Sequence, residues 1–313
     1  MIEVLKTGPL ALIEDLGRPG LAAVGVSPSG AFDRAALATG AALVGNDARA
    51  AALEVTLGGL VVRSAAPHLV VLTGAECPLT VNGRSVPWGV PLELRPADVL
   101  SLGLPGSGLR SYLSVRGGFD VPPVLGSRST DLLSGLGPAR LSAGDFIPVG
   151  LPTLPEELRD GPTPLPEELR EERHEGSTPP PEELREERAK RHEGRTRLEL
   201  LPGPRTDWLA DPRSLATEWT VSPDSNRVGV RLTGTRLVRA AAFEGTELPS
   251  EPLVRGAVQL PPSGQPVLFG PDHPTTGGYP VVAVLTEASS DLLAQCRPGD
   301  RILLAWALAA GPA

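Results

Sequence analysis

The chain has 313 residues, enough for one large domain or two of ordinary size. Gly (36) and Pro (35) run at about twice ordinary usage, which argues against a helical bundle and for short strands joined by many turns. A net charge of −8 argues against a nucleic-acid binder, whose footprint is a basic surface.

Residues 1–150 read as mostly β, with short apolar or alternating runs at 70–73, 79–81, 91–94, 99–102 and 111–115. Asn82-Gly83, between two of these runs, predicts a two-residue hairpin turn. An Ala- and Leu-rich stretch over 33–44 predicts a helix, entered after Ser29 and stopped at Gly45-Asn46. A strand follows over 53–56, extendable to 62. Residues 151–195 differ in kind: 13 acidic and 8 basic residues carry most of the chain's negative charge. Pro-Glu-Glu-Leu-Arg recurs there at 155–159, 166–170 and 181–185, and each copy has a single Leu. No copy can bury an apolar face, so the segment reads as a solvated linker or insertion. Residues 196–313 return to β patterning, with runs at 197–201, 228–232, 257–260, 267–270, 281–285 and 301–305. The layout is two β-rich domains with few helices, joined through the charged segment.

Lysine occurs only at Lys6 and Lys190, so no phosphate loop with its Lys and no kinase-type Lys is present. The only Met is Met1, which leaves no Met-Lys-Met setting for biotin on this chain. Cys77 and Cys296 follow no metal spacing. With a charged N-terminus unlike a secretory signal, they are expected as free thiols of a cytoplasmic protein. Two of the four histidines, His174 and His192, fall in the charged segment, and no metal site is expected. The longest apolar run, 302–310, is too short to span a bilayer.

Four loops hold more polar residues and glycines than turns need. In the first, Ser29, Gly30 and the amides opening the helix form a candidate anion site at a positive helix end; the alternative is that Ser29 or Asp33 caps the helix and Arg18 pairs with Asp15. The second runs from Arg116-Gly117-Gly118 through Asp120 to Ser127-Arg128-Ser129-Thr130-Asp131. Its three hydroxyls around one guanidinium suit a carboxylate, phosphate or bicarbonate; the alternative is an Arg128–Asp131 pair within a turn. The third, 222–229, holds ordinary turn formers. The fourth, Asp272 to Pro280, sets Thr275 and Thr276 before Gly277 and Gly278, where a backbone can approach a ligand closely and offer amide donors.

These segments together resemble one family. Residues 14–20, 29–33, 43–46 and 53–56 are similar to its N-terminal signature, 112–123 and 125–131 to its central one, and 225–229, 258–262 and 275–280 to its C-terminal one. It is the KipA group, which forms the C subunit of the bacterial ATP-dependent 5-oxoprolinase. That group is homologous to allophanate hydrolase subunit 2 and to half of the carboxyltransferase domain of urea amidolyase. Glu14 stands where the family commonly has Gln, Phe32 where it often has Met or Leu, and Ala41 where it often has Asn.

The resemblance implies a cyclophilin-like β-barrel architecture, with no implication of prolyl isomerase activity. It implies a KipI-like B subunit with the active site near the shared interface, and a LamB/YcsF-like A subunit. It also implies ATP as the energy source and a chain inactive alone. Asp33, Arg128 and Asp272 are the expected catalytic residues. Ser29, Gly30, Ser129, Thr130, Arg227, Gln259, Thr275, Thr276, Gly277 and Gly278 are the expected substrate contacts. The implied reaction is hydrolysis of 5-oxoproline to glutamate. Two alternatives stay open: a carboxyltransferase moving a carboxyl group from carboxybiotin to urea or a similar amide, and a non-enzymatic antagonist of a KipI-like kinase inhibitor.

Overall fold

The computed structural model describes residues 1–152 and 195–307. The charged repeats lie outside the described residues. The N-terminal part holds β1 (Ile2–Thr7), β2 (Leu10–Glu14), β3 (Ala52–Thr56), β4 (Leu60–Ser64), β5 (His68–Gly74), β6 (Leu79–Val81), β7 (Arg84–Ser85), β8 (Leu92–Leu94), β9 (Val99–Leu102), β10 (Arg110–Val115) and β11 (Phe146–Ile147). They form two sheets, ordered β11-β1-β4-β9-β6-β7 and β2-β3-β10-β5-β8. The sheets share an aliphatic core that includes Ile2, Val4, Leu53, Val62, Leu72 and Leu113.

The C-terminal part holds β12 (Thr196–Pro202), β13 (Glu218–Val221), β14 (Gly229–Thr233), β15 (Glu251–Pro252), β16 (Ala257–Gln259), β17 (Val267–Phe269), β18 (Thr276–Gly277), β19 (Val281–Leu285) and β20 (Arg301–Trp306). Seven of these close into a barrel, β12-β19-β16-β17-β14-β13-β20, sealed by parallel pairing of β12 with β20. The protein is therefore mainly β, with two α-helices among the described residues: α1 (Arg34–Leu43) and α2 (Glu287–Leu293).

Local chemistry explains the elements. Asn82 (φ 51°) and Gly83 (φ 77°) make the expected tight turn between β6 and β7. Asp33 caps α1, its carboxylate accepting from the Ala36 N–H at 2.9 Å. The strand extendable to 62 is instead two strands. Leu57, Gly58 and Gly59 all take positive φ, and a Cβ at Gly58 would stand 2.0 Å from the Gly103 carbonyl oxygen. The sequence reading had no strand over β1, β2 or β13 and no helix at α2, a seven-residue helix capped by Thr286.

The two parts dock through named side chains. Phe32, at the entry to α1, is fully buried in the barrel's own core with Trp219 and Leu268. Gly270 makes room for it, since a Cβ there would stand 2.9 Å from the Phe32 ring. The Arg110 guanidinium lies 4.3 Å from the same ring's centroid. Gln295 reaches from behind α2 to accept from the Leu109 and Arg110 N–H groups and to donate to Asp33 and the Arg110 carbonyl.

Candidate active site

Parts of all four polar loops converge where the two parts of the fold meet, around Arg227. Its Nε and Nη2 donate to the Asp272 carboxylate at 2.9 and 3.0 Å, its Nη1 to Glu54 at 2.5 Å, and its Nη2 to the Gly30 carbonyl at 2.7 Å. Glu14 lies 3.3 Å from Nη2. Ser29 donates to Asp272 at 2.7 Å, and the Leu132 N–H meets the other Asp272 oxygen at 3.2 Å. Glu54 also accepts from the Phe32 N–H and the Tyr112 hydroxyl and sits 3.3 Å from Arg110.

All of these charged groups are buried. Three carboxyl groups thus face two guanidinium groups in a low-dielectric setting, and one carboxyl is in excess. Burial pushes the Glu14 carboxyl well above its ordinary range; Arg227 opposes this, and Glu54 and Asp272 add to it. Burial acts the same way on Glu54, but Arg227 and Arg110 overcome it and hold that group low. Of the carboxyls around Arg227, Glu14 is the one that burial and its neighbours push upward.

This convergence is a buried hub rather than an open cleft. Ser29, Gly30, Ser129, Thr130, Arg227 and Asp272 belong to it or adjoin it, and Asp33 lies one Gln295 away. The expected anion site at the helix start is filled by the protein itself: Asp33 takes the Ala36 amide, and Asp291 takes the Arg34 amide at 3.0 Å. The expected ring of hydroxyls around Arg128 also fails. Ser127 and Ser129 both donate to Asp15 at 2.6 Å, and the Arg128 side chain turns outward to Asp120 at 2.6 Å. There it lines a shallow pocket of about 220 Å³ with Asn46, Asp47 and Arg49. Neither alternative pairing forms: Arg18 bonds the Ser129 and Val124 carbonyls, and Asp131 bonds its own turn through Ser134 and Leu133.

The fourth loop reaches open space. Glu251 and Pro252 of β15 pair with Gly277 and Thr276 of β18, and the Thr275 carbonyl accepts from Leu253 at 3.0 Å. Gln259 sits behind this loop, donating to the Tyr279 carbonyl at 3.0 Å. A Cβ at Gly277 would stand 2.7 Å from that amide nitrogen and 2.9 Å from a Leu253 methyl, so any side chain there would push both aside. Gly278 and Tyr279 form one wall of a cleft of about 990 Å³ on the barrel. Leu237 and Leu260 are its buried apolar lining, and Tyr279 is 44 % exposed.

Arg236 and Arg239 complete the cleft, and the sequence reading missed them. The Arg239 guanidinium lies 5.6 Å from the centroid of Trp208, which stacks on Phe243 at 4.6 Å. Among the described residues its bonds are long ones to carbonyls, Thr246 at 3.4 Å and Leu260 at 3.3 Å, and its Nε is buried without a partner. Arg236 bonds the Pro262 carbonyl at 3.3 Å. Among the described residues neither guanidinium has a carboxylate within 4 Å. The Arg-Leu-Val-Arg run over 236–239 was the available signal, but it matches no motif. No group of three His, Cys, Asp or Glu able to hold a metal occurs among the described residues, and no helix there is long and apolar enough to cross a membrane.

The chain is similar to known proteins along nearly its whole length. Residues 24–306 match the family model described as carboxyltransferase domain, subdomain A and B. The chain is 36 % identical over 308 residues to the C subunit of 5-oxoprolinase from Escherichia coli (strain K12), across 96 % of this chain and 90 % of that protein. It is 32 % identical over 315 residues to urea amidolyase of Saccharomyces cerevisiae, across 96 % of this chain but 16 % of that much longer protein. The crystal structure of the K. lactis urea amidolyase superposes with a TM-score of 0.79 at 27 % identity, covering 97 % of this chain and 18 % of the other.

Proposed function

The chain belongs to the family of carboxyltransferase domains made of subdomains A and B, and on that premise we propose that it is the C subunit of an ATP-dependent 5-oxoprolinase. One observation carries the reading: the likeness to the Escherichia coli C subunit runs through nearly the whole of both proteins. The partners are a KipI-like B subunit plus a LamB/YcsF-like A subunit, without which the chain is inactive.

In this reading water adds to the lactam carbonyl carbon, the ring C–N bond breaks, and the nitrogen leaves with a proton as the amine of glutamate. A lactam is a poor electrophile, and ATP supplies the activation. Negative charge developing on the lactam oxygen needs donors. The Gly278 backbone, with no side chain between it and the cleft, supplies one at the wall that Gln259 holds in place. Asp272 and Asp33 enter as positioning residues, since both are buried: Asp272 anchors the start of this loop to Arg227, and Asp33 holds the joint through Gln295. Arg128 lies outside this cleft on the other part of the fold.

Among the described residues neither α-helix start offers a phosphate cradle, because side chains of the protein occupy both. The residues that do fit a polyanion are Arg236 and Arg239 of the cleft.

The test is ATP hydrolysis by the complex reconstituted from all three subunits. Stimulation by 5-oxoproline with release of glutamate is expected; its absence sinks the reading. The family model and the urea amidolyase likeness favour a second reading, carboxyl transfer from carboxybiotin to an amide. Urea-dependent loss of the carboxyl group from carboxybiotin, with no ATPase response to 5-oxoproline, is the result that would select it.

A further inference from the structure

We propose that the cleft on the barrel is a nucleotide site, with the phosphates of ATP held between Arg236 and Arg239 and the base resting on Tyr279. The identity of the nucleotide rests on the 5-oxoprolinase reading; the site itself rests on the paired guanidinium groups, the shape and the size of the cleft.

Arginines that bond only carbonyls also occur elsewhere in the fold, as Arg18 and Arg297 do; what sets Arg236 and Arg239 apart is that both line one open cleft. Arg236 and Arg239 lie three residues apart on that cleft and have no carboxylate within 4 Å among the described residues. Their bonds are to neutral carbonyls at 3.3–3.4 Å, which satisfy hydrogens without balancing charge. Arg239 is also held in place: it lies against the Trp208 face and its two Nη atoms meet the Thr246 and Leu260 carbonyls, so what it can offer a ligand is the remaining Nη hydrogens. A guanidinium held in advance, with Nη hydrogens to spare beside a second guanidinium, suits phosphate oxygens.

Size selects among anions. The cleft's volume of about 990 Å³ lies at the top of the small-molecule range and holds on the order of thirty water-sized groups. A lactam acid alone would leave most of it wet. A nucleoside triphosphate fills it and still meets the Gly278 wall. The half-exposed Tyr279 ring is a platform for a flat base, and Leu237, Leu260, Pro261 and Pro262 give an apolar surround. Glu244 and Glu247 also line the cleft and can accept from an exocyclic amine or a phosphate-bound cation. Binding here depends on salt, because the two guanidinium groups carry the attraction.

The experiment is calorimetric titration of the full chain, without partners, with ATP and magnesium ions, and separately with tripolyphosphate. Saturable ATP binding is expected, weakened about tenfold to a hundredfold by Arg239→Ala and by Arg236→Ala, with Arg239→Lys between wild type and Ala. Tyr279→Leu should weaken ATP and leave tripolyphosphate unchanged. Arg236 stands on the exposed rim, so its variant tests the site even where Arg239→Ala unfolds the chain. Absence of ATP binding by the folded chain overturns the proposal. So does binding that survives the Arg236→Ala/Tyr279→Leu double variant, or tripolyphosphate binding as tight as ATP. An ATPase of the complex stimulated by 5-oxoproline, together with no ATP binding by this chain, refutes this site and keeps the 5-oxoprolinase reading. Arginine-dependent ATP binding without any 5-oxoproline response does the reverse.

Discussion

With Arg227 replaced by Met, Asp272 loses both of its guanidinium bonds and Glu54 keeps one guanidinium, Arg110. Leaving buried charge without its partner costs about 3–5 kcal/mol. Urea unfolding of Arg227→Met should show a loss of that size, and Arg227→Lys should recover only part of it, since an ammonium cannot span three carboxyl groups. Glu14→Gln has the opposite sign. The unfolded chain gives up the Glu14 proton at the ordinary carboxylate pH, whereas the folded chain keeps it to a higher pH. Wild-type stability therefore falls as pH rises through that window, and Gln does not titrate. The melting temperature of Glu14→Gln should exceed wild type by an amount that grows from acid to neutral pH and vanishes below the ordinary carboxylate range. Burial pushes the Cys77 thiol up to about 11, so the native protein should resist iodoacetamide at pH 8 while the unfolded chain reacts.

Two short elements carry the joint and the cleft wall. Phe32→Ala removes a ring buried in the core of the other part of the fold, at a cost of about 3–5 kcal/mol. Proteolysis within residues 1–152 and 195–307 should speed up accordingly. Gly277→Val drives a methyl into Gln259 and Leu253, so overpacking of about 1–3 kcal/mol is expected, with weaker ATP binding in the same variant. Much of this was legible in the chain. Asn82-Gly83 and the Ala-rich run over 34–43 announce a turn and a helix through backbone preference alone. The helix at 287–293 was not legible, because Ser289 and Ser290 are turn formers and its stability comes from packing Leu292 and Leu293 into the barrel.

At the scale of the whole molecule, the loops did announce polar chemistry but not which way it faced. Ser127 and Ser129 read as ligands for an outside anion because nothing local says that Asp15, more than a hundred residues away, will claim both. Arg227 sat in a stretch of plain turn formers, and its centrality follows only from docking the barrel on the sheets. Arg236 and Arg239 were invisible for the converse reason: what marks them is the cleft they share, which exists only once the barrel has folded. Because the hub ties both parts together through buried ions and Phe32, calorimetry should record one cooperative transition for wild type. Arg227→Met should separate it into two.

The barrel is sealed by its first and last strands lying side by side. It cannot close until Trp306 has left the ribosome, roughly 160 residues after Ile147 completes the sheets. At ordinary synthesis speed that is a wait of about 10–30 s. Throughout it the newborn chain displays an aromatic ring whose socket has not yet been made. Chaperone capture of arrested nascent chains should therefore peak at lengths short of the final strand, and fall when Phe32 is replaced by Ala.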